Sequence, residues 1–158
     1  MFLVIHTLLG FMIGLFLPFW LLVFLISFAS HFLLDIIPHW DGEFNQKNFY
    51  SFGKVDITKS RFFLTVFDLI ASFTFAFVLY QFYPFKLAVL GFFASILPDL
   101  LSLGYFTPLK KNRIYIDYLK FHSRIQNETS KWVGILFQVL IFIFLLIILL
   151  VYTQIALS

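Results

Sequence analysis

The apolar stretch SHFLLDIIPHWD contains four side chains of the types that bind metal ions or transfer protons: His31, Asp35, His39 and Asp41. His31 and Asp35 stand four residues apart, so in a helix they share one face. Imidazole and carboxylate groups without a thiolate suit Zn²⁺, Mn²⁺ or Fe²⁺, whereas carboxylates alone suit Mg²⁺ or Ca²⁺. The stretch therefore predicts either part of a metal site or a hydrogen-bonded pair followed by two loop residues.

The composition places these polar groups in a membrane protein. The 158 residues are 61% hydrophobic and 12% charged, against about 45–50% and about 25% in soluble domains. The chain contains no cysteine, which excludes disulfides and thiolate metal sites. A net charge of +3 is too small to argue for nucleic acid. The length suits one transmembrane domain over residues 1–158.

The apolar segments predict an all-α, polytopic membrane helix bundle with about five transmembrane helices and a cytoplasmic amphipathic interfacial helix. A span needs about 20 residues, and the first apolar run, 2–38, is about twice that length. Pro18 is its natural break, because proline removes a helix donor and disfavours helix at the preceding residue. The predicted spans are 2–17, 19–37, 61–82, 85–105 and 131–153.

The polar segments 39–60 and 106–130 predict the orientation of the bundle. With five spans, ten of the eleven Lys and Arg residues fall on the side of these segments, and only Lys86 falls on the other. The positive-inside rule then places the N-terminus and both segments in the cytoplasm and the C-terminus opposite. An amphipathic helix at the inner-membrane surface is predicted by spacings of three to four residues among Ile114, Tyr118, Phe121 and Ile125.

The same predicted side carries further imidazole and carboxylate groups: His6, Asp68, Asp99 and His122. Each has an ordinary alternative, such as a loop cap, a wet crevice, a helix surface or snorkelling to the interface. Because ionisable residues within a membrane are a functional hypothesis by default, their shared depth predicts a site for one or two divalent ions. Four nearby basic residues either hold an anionic headgroup or only set topology: Lys111, Arg113, Lys120 and Arg124.

Three short motifs carry a family resemblance. His31-Phe-Leu-Leu-Asp35, Pro98-Asp99 and Phe-His122-Ser-Arg124 resemble elements of the bacterial membrane-bound metal-dependent hydrolases, which are polytopic inner-membrane proteins. The resemblance covers most of the chain and implies metal-site roles for His31, Asp35, Asp99 and His122. Here Ser102 follows Pro-Asp-Leu-Leu where the family often has a second Asp, and no second His follows His122. These departures leave open whether one metal ion or two are held.

These observations lead to a sequence-based expectation of a metal-dependent hydrolase of a lipid or lipid-linked phosphate or ester at the cytoplasmic face. Zn²⁺ or Mn²⁺ is the expected cofactor, and membrane lipid is the expected partner. Asp35, Asp99 and His122 are the expected catalytic residues, and the full expected ligand set is His6, His31, Asp35, Asp68, Asp99 and His122. The alternatives are an ion- or proton-coupled transport or binding protein, and a scaffold subunit in which the polar cluster associates helices.

Overall fold

A computed structural model describes residues 1–42, 59–83 and 85–157, and this part of the chain is all-helical, with six α-helices and no strand. The helices are α1 Leu3–Phe16, α2 Trp20–Asp35, α3 Lys59–Phe82, α4 Lys86–Ser102, α5 Arg113–Ile125 and α6 Lys131–Leu157. Two short 3₁₀ segments, Leu103–Phe106 and Pro108–Lys111, join α4 to α5. The all-α prediction is confirmed, and each predicted span agrees with a helix to within four residues at either end. Most of the first polar segment lies outside the described residues.

The first apolar run folds as a hairpin of two short helices, as Pro18 predicts. Leu17 and Phe19, on either side of the proline, both have extended backbone angles, so the helix stops and restarts there. α1 and α2 have 14 and 16 residues, fewer than the about 20 of a full span. Among the residues that the structure describes, three stretches are long and apolar enough to cross a membrane: Phe62–Phe82, Lys86–Tyr105 and Lys131–Ile155. The structure thus carries three such helices and two shorter apolar ones.

Short α1 lies in the interior of the bundle, where small residues let it approach α4 closely. A Cβ added at Gly10 would lie 2.6 Å from the Cβ of Ser95, and one added at Gly91 would overlap the carbonyl oxygen of Gly10. Close backbone contact through small residues is how membrane helices gain packing energy without a hydrophobic driving force. His6 lies one turn before Gly10, and Asp99 lies one turn after Ser95. The close approach therefore brings both side chains to one end of the bundle.

Amphipathic α5 docks on the C-terminal end of α4. The hydroxyl of Tyr115 donates to the carbonyl of Leu101 at 2.9 Å, and that of Tyr118 donates to the carbonyl of Pro98 at 2.7 Å. Carbonyls near a helix end need such partners because the helix leaves them unpaired. The predicted helix is confirmed, and its buried face carries His122. The position of α5 on a membrane surface stays a prediction.

Backbone bonds and one buried amide join the segment after α2 to the start of α6. The backbone N–H of Asn127 donates to the backbone carbonyl of Asp35 at 3.0 Å, and that of His39 donates to the carbonyl of Asn127 at 3.1 Å. Gln138 of α6 accepts from the N–H of Phe2 at 2.7 Å and donates to the carbonyl of Trp40 at 2.9 Å. These bonds fix the end of the bundle that carries the histidines.

The α1–α4 contact makes Gly91→Ala a test of the packing. We expect its Cβ to overlap the backbone of α1 and to lower the free energy of unfolding by about 1–3 kcal/mol, the usual cost of overpacking. Thermal unfolding in mild detergent measures the change. Val139→Leu, on an exposed face of α6, is the control and should leave the midpoint unchanged. Equal midpoints for the two variants would contradict the close approach.

Candidate metal centre

Four ligand-type atoms from three helices converge at the end of the bundle. The Nε2 atoms of His31 and His122 are 3.1 Å apart. Asp35 Oδ2 lies 3.3 Å from the first and 3.4 Å from the second. Asp99 Oδ1 lies 3.6 and 3.7 Å from the same two nitrogens. The side chains of His31, His122 and Asp35 are buried, whereas the side chain of Asp99 is 39% exposed.

The hydrogen-bond partners of the two Nδ1 atoms determine whether each Nε2 atom carries a proton or a lone pair. Nδ1 of His31 lies 2.8 Å from the carbonyl oxygen of Ser95, which can only accept, so Nδ1 holds the proton. The hydroxyl of Ser102 donates to the carbonyl of Pro98 at 3.1 Å and lies 3.2 Å from Nδ1 of His122, from which it accepts when that nitrogen carries the proton. In neutral rings, both Nε2 atoms then present lone pairs. Two buried lone pairs facing each other repel, and a cation between them removes the repulsion.

The spacing of these atoms fits a small divalent ion. Around a tetrahedral ion with bonds of about 2.0–2.1 Å, ligand atoms stand about 3.3–3.4 Å apart. The five separations that involve an imidazole nitrogen run from 3.1 to 3.7 Å. Two imidazoles held by Nδ1 hydrogen bonds and two carboxylates also match the usual arrangement of ligands and their supporting partners. The residues present therefore fit Zn²⁺, and they suit Mn²⁺ by ligand type.

The carboxylate of Asp35 also faces a second imidazole. Its Oδ1 lies 3.2 Å from Nε2 of His6, whose ring stacks on that of His31 with centroids 4.1 Å apart. Within the described chain, neither ring nitrogen of His6 makes a hydrogen bond, and neither does Oδ2 of Asp35. His6, His31 and Asp35 form a second group with metal-ligand spacing. The other such group is His31, Asp99 and His122, and His31 belongs to both, so the predicted choice between one ion and two stays open.

A separate buried ion pair lies next to this cluster. The amino group of Met1 lies 2.6 Å from Asp41 and 3.1 Å from Asp35, and Nε2 of His39 lies 3.2 Å from Asp41. Burial lowers the pKa of the amino group, but the carboxylates of Asp41 and Asp35 raise it more, to about 10. Burial raises the pKa of Asp41, but the ammonium group and His39 hold it well below its usual range. Asp41 therefore forms a buried ion pair with the amino group of Met1, and His39 lies against the same carboxylate.

Asp68, an expected metal ligand, lies apart from the two ligand groups and caps the start of α1 instead. Its carboxylate accepts from the backbone N–H groups of Leu3 and Val4, the latter at 3.1 Å. The first turn of α1 has free N–H groups, and Phe2 at its start offers no side-chain cap. Asp68, on α3, supplies that cap from another helix, and its charge complements the helix dipole. It lies in neither group of metal-ligand spacing, so the structure does not bring it to the other five expected ligands.

The four expected anion-binding residues belong to neither ligand group and to no wall of the neighbouring cavity. Lys111, Arg113 and Arg124 are exposed, and Lys120 is half-buried. None of the four lines the cavity of about 550 Å³ that borders Asp99 and His122. Their binding of an anionic headgroup stays a prediction that no contact in the described chain supports.

The sequence reasoning did not identify the residues that hold the ligands in place. The carbonyl of Ser95 and the hydroxyl of Ser102 orient the two imidazoles. A signal was available only for Ser102. The carbonyl that Pro98 leaves without its helical donor is that of Ala94, four residues earlier, so the contact of His31 with the carbonyl of Ser95 had no signal along the chain. Ser102 stands one turn after Pro98, where its hydroxyl reaches that residue's carbonyl.

Comparisons of the chain with protein-family models, with curated proteins and with solved structures find no match. The functional argument for this protein is therefore carried by the geometry of its own side chains.

The capping role of Asp68 predicts that Asp68→Ala affects stability more than metal binding. Loss of a helix cap costs about 0.5–2 kcal/mol, so the unfolding midpoint should fall while metal content stays at the wild-type level. Asp117→Ala removes an exposed carboxylate from α5 and serves as the control for charge. Loss of metal from a well-folded Asp68→Ala protein would show that Asp68 is a ligand after all.

The support of His122 by Ser102 predicts a weaker metal site in Ser102→Ala. Removing a group that orients a metal-binding histidine usually costs about 10–100-fold in affinity. Competition between the protein and a zinc chelator measures this change. Thr153→Ala is the matched control, because that hydroxyl also bonds a carbonyl of its own helix, Leu150, at 2.6 Å. Equal zinc affinity in the two variants would contradict the role of Ser102.

Proposed function

We propose that this protein is an integral membrane metal-dependent hydrolase that acts on a lipid or lipid-linked phosphate or ester. Its ion, Zn²⁺ or Mn²⁺, would be held by His31, His122, Asp35 and Asp99. The observation that carries the proposal is the pair of Nε2 atoms 3.1 Å apart, with oxygens of two carboxylates 3.3 to 3.7 Å from them. Buried acceptors that face each other in this way need either a cation or a shared proton, and we propose that a cation fills this role.

The chain's own residues suggest how the work would be divided. A divalent ion held here would make a water molecule acidic enough to react near neutral pH and would polarise the bond under attack. Asp99 is the most exposed member and borders the cavity, so it is the ligand best placed to give way to a reacting water and to accept its proton. Asp35 is buried between three imidazoles and is suited to hold the ligands. His122 binds from the cavity side.

A scaffold role is the competing interpretation, and one observation favours it. A separation of 3.1 Å between two nitrogens is also a hydrogen-bond distance. If Ser102 donated to Nδ1 of His122, then Nε2–H of His122 could donate to His31. That arrangement satisfies one pair without a metal, but it leaves His6 without a hydrogen bond. The two interpretations predict different metal contents for the purified protein.

Metal content measured by mass spectrometry tests the proposal directly. Protein purified in mild detergent, without chelator or histidine tag, should contain close to one or two equivalents of Zn²⁺ or Mn²⁺. His31→Ala and Asp35→Ala should lose the ion while keeping their helical circular dichroism. Asp117→Ala, an exposed carboxylate, should keep it. A well-folded wild-type protein that takes up no Zn²⁺, Mn²⁺ or Mg²⁺ would rule out the proposal.

Hydrolysis is then measured on the metal-loaded protein with lipid-like esters and phosphoesters. We expect chelation to abolish turnover and Asp99→Asn to reduce it by more than about 100-fold, because losing a ligand exceeds the usual effect of losing a supporting residue. Asp117→Asn should retain wild-type turnover. Turnover that survives chelation would identify a contaminant or a metal-independent reaction.

A further inference from the structure

The cavity beside the metal cluster has walls of a distinct chemistry. It measures about 550 Å³, within the range of about 300–1,000 Å³ for small-molecule sites. The start of α3, the end of α4 and one face of α5 enclose it. Its apolar wall includes Phe62, Leu64, Val66, Leu69, Ile96 and Leu100. Such a wall accommodates a hydrocarbon chain, and its volume suits a single chain better than a large headgroup.

The charged side chains of the cavity are carboxylates, and the amino group of Met1, which also lines it, is paired with Asp41. Asp41, Asp68 and Asp99 line it, and in the described part of the chain no Lys or Arg does so. Asp41 pairs with the amino group of Met1, and Asp68 accepts backbone N–H groups. An anionic substrate would therefore enter a site with no side-chain cation to receive it.

The charge balance at the metal also disfavours an anionic substrate. One divalent ion with the carboxylates of Asp35 and Asp99 and two neutral imidazoles carries no net charge. A phosphate monoester would then place up to two negative charges in an apolar site without compensation. A neutral carboxylic ester brings no charge into the site.

The cavity reaches the apolar outer surface of α3. Phe62 and Val66 line the cavity and are also 56% and 38% exposed. They adjoin Phe63 and Phe67, which are 70% and 72% exposed and form a surface suited to lipid. A chain dissolved in the bilayer can therefore enter sideways, between lipid-facing side chains, without passing through water.

We propose that the substrate is a neutral long-chain carboxylic ester whose acyl chain lies in this cavity and whose carbonyl group lies at Asp99 and His122. This inference rests on the proposed function and narrows its substrate. In the reaction, the oxygen of water bonds to the carbonyl carbon and the bond from that carbon to the alcohol oxygen breaks. One proton passes to the departing alcohol, and the products are a carboxylic acid and an alcohol.

Photo-crosslinking tests occupancy of the cavity independently of catalysis. The probe is a long-chain amide carrying a diazirine on its chain, which mimics the ester and is not expected to turn over. In the wild-type protein, labelling should concentrate on peptides covering 62–69 and 96–103. Leu69→Trp and Leu100→Trp should each reduce it at least about tenfold by filling the cavity, with metal content unchanged. Leu140→Trp, exposed on α6, is the matched control and should label as wild type.

Turnover of matched substrates tests the chemistry. With metal-loaded protein, ester hydrolysis should rise with acyl length, and the rise should disappear in Leu69→Trp or Leu100→Trp. Monoalkyl phosphates of equal chain length should react at least about tenfold more slowly. Faster turnover of the phosphates, or labelling spread evenly over the lipid-facing helices, would overturn this inference. Labelling confined to the cavity without hydrolysis of any ester would overturn the proposed hydrolase and keep only the chain-binding site.

Discussion

Two imidazole nitrogens that face each other in the interior impose the main constraint on this structure. Nε2 of His31 and Nε2 of His122 stand 3.1 Å apart, and carboxylate oxygens of Asp35 and Asp99 surround them. Burying acceptors without a donor costs several kcal/mol, so the arrangement needs a cation or a shared proton. The choice between these two decides whether the cluster performs chemistry or only joins helices.

Close packing between helices, and not the length of the helices, positions this cluster. α1 and α2 are too short to span a bilayer by themselves, and α1 is buried by its neighbours. The glycines of α1 and α4 allow backbone contact, and Asp68 caps α1 from α3. The tyrosines of α5 bond the last carbonyls of α4. His6, Asp99 and His122 therefore reach one depth from three separate helices.

Burial also explains the division between the two polar clusters. Asp41 is neutralised by the amino group of Met1 and by His39, so its charge is satisfied within the protein. Asp35 contacts the same amino group but also faces three imidazoles, and one of its oxygens makes no hydrogen bond in the described chain. Both clusters border the apolar cavity, the first through Asp41 and the second through Asp99 and His122. Within the described chain, only the second cluster groups imidazoles and carboxylates at metal-ligand spacing.

The sequence by itself determined the helices, the break at Pro18 and five of the side chains that converge, because hydrophobic length and proline act locally. The sequence grouped Asp68 with these side chains only because its predicted depth in the membrane matched theirs. Only the tertiary structure decided that Asp68 caps α1, since a carboxylate binds whichever donor the packing brings within reach. The orientation of His31 and His122 by Ser95 and Ser102 likewise depends on contacts between helices, which no periodicity along the chain encodes.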